Sequence, residues 1–135
     1  MATGAKLKTK VPARPARPLW LVYLVAWLVP GGGHLWLGRR HKGLVFLLVL
    51  PAMFGIGLAL RGRLFPFEPA EPLVALAAVA DVGVGAAYAL AKLAGLGAGV
   101  AGAVTYEYGN AFLITAGLLN TLVMIDAHDI ALGRK

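Results

Sequence analysis

Residues 43–60 read GLVFLLVLPAMFGIGLAL, a run with no charged or strongly polar side chain. Crossing the hydrocarbon core of a bilayer takes roughly 20 mostly apolar residues in a helix. A helix on a soluble protein keeps one wet face, and this run offers none. It therefore reads as a transmembrane helix. Pro51 lies inside it, with Gly55 and Gly57 one turn on. In lipid, neighbouring helices can satisfy the carbonyl that a proline frees, so Pro51 is expected to bend this helix without ending it.

Three further apolar stretches flank that run. Before it, LWLVYLVAWLV at 19–29 is followed by Pro30, Gly31–Gly33, His34 and LWLG. The first part is too short to span, but 19–38 is long enough if the helix kinks at Pro30–Gly33. After it, a third stretch covers about 73–93 and a fourth 109–127. The expected fold is an all-α integral membrane bundle of about four transmembrane segments. One membrane domain, 19–135, follows an arm at 1–18. Composition agrees: 59% of the 135 residues are hydrophobic and 14% charged, where a soluble domain carries about 25% charge. No length remains for a separate soluble catalytic domain, and without cysteine there is no disulfide, thiolate metal site or thiol nucleophile.

The formal charge of +7 comes from basic residues at the edges of the apolar runs, which points to topology and anionic lipid rather than nucleic acid. The arm carries Lys6, Lys8, Lys10, Arg14 and Arg17 and no acid, with prolines at 12, 15 and 18. It is expected to lie on the membrane surface against anionic headgroups. No A-x-A site follows the first apolar stretch, so it is expected to stay rather than be cleaved as a signal peptide. With four spans, the arm shares a side with Arg61, Arg63, Arg134 and Lys135, opposite Arg39, Arg40, Lys42 and Lys92. That excess predicts cytoplasmic termini. The cluster at 39–42 is the misfit, since it belongs on the basic side. It could lie there only if 19–38 were re-entrant or interfacial.

The polar residues inside apolar runs are the candidate functional positions. Asp81 falls near the middle of the third stretch, where a charge costs about 3 kcal/mol on insertion scales. On an ideal helix Gly85, Tyr88 and Lys92 lie within about 40° of it, forming a polar stripe. That stripe either glues helices together or lines a proton or ion path. On the fourth stretch Asn110, Gly117, Thr121, Met124 and His128 share a face with Asn120 at its edge, suited to interhelical hydrogen bonds. Gly95 and Gly99 have the four-residue spacing of close helix packing. Asp126, His128 and Asp129 invite a metal reading: Asp126 and His128, two apart, point about 160° away from each other on a helix, whereas Asp126 and Asp129, three apart, could share an ion. A solvated helix end is the expectation, with no metal and no cofactor. Glu107, between two tyrosines, reads as a cap at the start of the fourth helix. No phosphate loop, nucleophile elbow or paired-histidine metal motif occurs, so no catalytic residue is assigned and no enzyme is expected.

Pro30-Gly31-Gly32-Gly33-His34-Leu35-Trp36-Leu37-Gly38-Arg39, with Gly43 opening the next run, resembles the TM-two domain family of small membrane modules. The likeness covers residues 19–60 and is strongest at 30–43. Trp36 stands where Tyr or Phe is usual, and the polar turn of better-studied members is missing. The whole chain, with Tyr106-Glu107-Tyr108-Gly109-Asn110 and Asp126-Ala127-His128-Asp129, is similar to an uncharacterised bacterial membrane family related to that module. The resemblance implies a bacterial envelope origin and paired helices, and no reaction. From the residues themselves, Trp36 reads as an interfacial anchor. The functional expectation is an accessory, scaffold or self-assembling subunit of a bacterial inner membrane, partnered by lipid and by other membrane proteins or itself. The alternative is a small transporter using Asp81 and Lys92.

Overall fold

A computed structural model describes residues 18–134. The basic arm with Lys6, Lys8, Lys10, Arg14 and Arg17 lies outside the described residues. The helices are α1 (Leu19–Leu28), α2 (Gly32–Trp36), α3 (Arg40–Ala59), α4 (Pro72–Val82), α5 (Ala86–Leu93) and α6 (Tyr106–Ala131). Among the described residues there is no strand, only an isolated antiparallel bridge between Arg63 and Ala98.

Two helices, α3 and α6, are long and apolar enough to cross a membrane. They pack antiparallel. Lys42 of α3 reaches Asp126 of α6 at one end, while Gly57 and Gly62 pack on Gly109 at the other. A Cβ on Gly109 would come within 2.5 Å of the Gly62 backbone, so glycine is what lets the two main chains meet there. Pro51 stays inside α3, as expected. Around this pair, α6 also carries α1 and α4. Its buried side is Leu113, Ala116, Val123 and Ala127, with Asn110, Gly117 and Asn120 between them.

The stretch 19–38 does more than kink. Pro30 has no N–H to continue α1, and Gly31 turns the chain at φ +79°. Beside α6, α1 descends from His128, whose ring stacks on Tyr23 at 4.9 Å, to Asn120, which bonds the Trp27 carbonyl. α2 then climbs back, so that His34 meets Asp126. The chain leaves at the end of the bundle where it entered. Gly38 closes α2 with φ +84°; the Gly38 and Arg39 N–H groups bond Leu35 and His34 carbonyls, the Schellman arrangement that satisfies a helix end.

The third stretch is also two helices, bent by 103° at Gly83–Gly85. Its ends are tied together. The Leu64 N–H donates to the Gly97 carbonyl at 2.9 Å and the Val100 N–H to the Arg61 carbonyl at 3.1 Å, around the Arg63–Ala98 bridge. Residues 64–97 thus leave and return at one end, the end opposite His34. Of the four expected crossings, not all are found as helices long and apolar enough to span. Two helices can cross, three if the bent α4–α5 pair counts as one span. Gly95 and Gly99 are not a helix-packing face either. Both follow α5 at positive φ, and Gly95 ends that helix with the same carbonyl-capping pattern, its N–H on Lys92 and that of Leu96 on Ala91.

Candidate functional site

The tips of the two folded-back stretches meet half-way along α6. A helix that stops leaves its last carbonyls without partners, and in apolar surroundings each must find one. At this junction Asn120 finds them. Its Nδ2 donates to the Trp27 carbonyl at 3.2 Å and to the Gly83 carbonyl at 2.8 Å. The Trp27 indole Nε1 donates across to the Val82 carbonyl at 2.9 Å. Two glycines make the approach possible. A Cβ on Gly85 would overlap the Trp27 carbonyl oxygen, and one on Gly117 would overlap that of Ala80. Gly85 is also held at φ +74°.

The other polar residues of the apolar stretches do the same job for unhelical backbone. Fully buried Asp81 accepts the Phe65 N–H at 2.9 Å. Asn110 accepts the Arg63 N–H at 2.7 Å, and Thr105 donates to the Leu60 carbonyl at 2.8 Å. Thr121 turns back on its own helix, donating to Gly117 at 3.1 Å. Two oxygens at depth, Oδ1 of Asp81 and Oδ1 of Asn120, have no partner.

The expected Asp81-Gly85-Tyr88-Lys92 stripe does not form, because the bend at Gly83–Gly85 takes its second half off the face that carries Asp81. Tyr88 packs on the core of Phe54, Leu64, Val84 and Leu113. Lys92 is exposed, its ammonium 5.7 Å from the Tyr88 ring centroid.

A second polar cluster lies at the end of the bundle that holds the α2–α3 turn. His34, fully buried, places Nε2 2.7 Å from Asp126 Oδ2, and Lys42 Nζ is 3.6 Å from the same oxygen. Phe46 meets the His34 ring edge-on at 5.1 Å. Gly31 and Gly43, both in the glycine motif, touch: a Cβ on Gly31 would overlap the Gly43 carbonyl. Gly33 packs between Ala26 and Ala127, and Pro30 is buried while Trp36 is half-buried. Asp126 and His128 face different neighbours, as their spacing requires. Asp129 pairs with Arg134 at 3.2 Å, with His128 Nδ1 3.9 Å away. No group of three or more potential metal-ligating side chains occurs among the described residues. The His34–Asp126 pair went unforeseen because 92 positions separate the two. The one available signal was the misplaced basic cluster at 39–42, which asked for 19–38 to turn back.

An all-α bundle with helices able to cross a membrane, and side chains spent on closing broken helices, defines a helical membrane protein. The chain belongs to a family of unknown function, DUF6677, which matches residues 21–135. No curated protein and no solved structure matches it. The family match establishes no relationship to the TM-two domain family, so the likeness at 30–43 remains one of motif.

Proposed function

We propose that this protein is a small interaction or accessory subunit embedded in a bacterial inner membrane, without catalytic activity. The observation that supports this is the use of its intramembrane polar groups. Asp81, Asn110 and Asn120 each bond main-chain groups of the same chain, as framework residues do. Outside this framework, α4 presents Leu73, Leu76 and Val79 at three-residue intervals, each at least 60% exposed. Lipid is as apolar as leucine, so such a face associates by close packing rather than by hydrophobicity.

In this reading only α3 and α6 cross. Arg39, Arg40 and Lys42 then join the arm and the C-terminal Arg134 and Lys135 on one side, leaving Arg61, Arg63 and Lys92 opposite. Lys and Arg concentrate on cytoplasmic loops, which supports cytoplasmic termini in this reading without the misfit of the four-span arrangement. The test is gentle extraction of the full chain through a C-terminal tag, with native electrophoresis and mass spectrometry of what co-purifies. A complex larger than one chain that is lost in Leu76→Trp is the expected result. Recovery as a monomer in both would refute it.

A second reading, a proton or cation path, draws on the two unpartnered oxygens beside the junction of the broken helices, since half-helix ends and free carbonyls hold ions in transporters. It predicts a flux in proteoliposomes that Asp81→Asn abolishes.

A further inference from the structure

Between α3 and α6, on the half of the bundle nearest the α2–α3 turn, runs an open groove of about 320 Å³. Val45, Phe46 and Val49 form one wall and Leu119, Leu122 and Val123 the other, and Asp126 stands at one end. From Leu119 to Asp126 the groove rises about 10 Å along α6, which is less than half of the roughly 30 Å hydrocarbon core. It is therefore confined to one leaflet, as an acyl chain is.

The charged residues sit at the mouth. Lys42 Nζ lies 3.6 Å from Asp126 Oδ2, so the carboxylate that ends the groove also holds a half-exposed ammonium over it. Arg39, Arg40, His41 and Lys42 line an adjoining recess of about 360 Å³. The Asp126 carboxylate is engaged by His34 and Lys42, and Arg40 and Lys42 bring two formal positive charges to the recess. An apolar slot one leaflet deep, topped by a surplus of cations, is complementary to an amphiphile with a negative headgroup.

We infer that the groove between α3 and α6 binds an anionic phospholipid, with one acyl chain between Val49 and Leu122 and the phosphate at Arg40 and Lys42. This site is separate from the basic arm, and it does not depend on the accessory-subunit reading. A membrane-surface Lys or Arg contributes about 1 kcal/mol toward anionic lipid, roughly a fivefold change in affinity per cation.

The test is native mass spectrometry of the purified full chain released from detergent, with added phosphatidylglycerol or phosphatidylcholine of matched chains. The native chain should retain phosphatidylglycerol in clear preference. Arg40→Gln/Lys42→Gln should lower that retention roughly 25-fold, the fivefold factor taken for each of two cations, and bring the two lipids level. Val49→Trp, at a half-exposed position, should fill the slot and weaken both lipids with the charges intact. Equal retention of the two lipids by the native chain would overturn the inference. So would a Val49→Trp chain that holds phosphatidylglycerol as before, since the headgroup alone would then suffice. A lipid-free dimer that Val49→Trp dissociates would assign the groove to a second copy and overturn it as well. Unchanged elution and helicity establish that each variant is folded.

Discussion

Two prolines sit in apolar stretches of this chain, and only one of them ends a helix. Pro51 lies mid-way in α3, between Leu50 and Ala52, and the helix continues through it. Pro30 is followed by Gly31, Gly32 and Gly33, and there α1 stops and α2 turns back. A proline removes one backbone hydrogen bond wherever it falls. What differs is the alternative on offer. After Pro30, Gly31 can adopt φ +79° against the Gly43 main chain, and Asn120 stands ready for the freed Trp27 carbonyl. Around Pro51 no left-handed residue follows. The break at Gly83–Gly85 makes the same point with no proline at all, its Gly83 carbonyl accepting from the same asparagine.

The largest test of this contrast is topological. If 19–38 and 64–97 each return to the end they left, a cysteine at His41 reacts with an impermeant maleimide from the same side as one at Arg134. A cysteine at Gly102 reacts only from the other side. Four straight crossings would instead put positions 41 and 102 on one side. The chain has no cysteine of its own, so single-cysteine labelling of intact and inverted vesicles reads this directly.

Next in size is Gly85→Leu. It places a side chain at positive φ and against the Trp27 carbonyl, adding backbone strain of about 1–3 kcal/mol to an overpacking cost of similar size. Thermal unfolding in detergent should show a large loss of stability, or no folded protein. Gly55→Leu, on an open face of α3, should leave the melting temperature nearly unchanged.

Asn120→Leu should cost less, about 1–3 kcal/mol, the loss of two hydrogen bonds inside the membrane at roughly 0.6–1.7 kcal/mol each. Because one side chain ties both folded-back stretches, hydrogen exchange at their tips should rise together. Independent opening of the 19–38 tip would show that the two are not coupled through it.

The smallest effect is expected from Pro51→Ala, a gain of well under 3 kcal/mol, the helix-interior penalty of proline being partly relieved already by the bundle. A stabilisation near the full penalty would mean that α3 is strained where it now reads as relaxed.

Much of the architecture was legible because hydropathy is a local property. The charge-free run at 43–60 and the run after Gly109 were recognisable as helices able to cross. Asp81, Asn110 and Asn120 were recognisable as residues needing partners, since any polar group in such a run must find one. The misplaced basic cluster at 39–42 even carried a trace of the turn-back. The identity of the partners was not legible. The hydrogen bond that Asp81 accepts comes from a backbone N–H at Phe65, in the connection before α4. Helical spacing was the wrong ruler there, because it assumes a continuous helix through Gly85.

By itself, then, the sequence determined an all-α fold of largely apolar helices, because these follow from side chains summed over short windows. Only the tertiary structure decided that 19–38 and 64–97 turn back, that their tips share Asn120, and that His34 meets Asp126 beside Lys42. A helix break becomes a crossing or a return according to which group satisfies its freed carbonyls. Here that group, on α6, lies 93 positions from one break and 37 from the other.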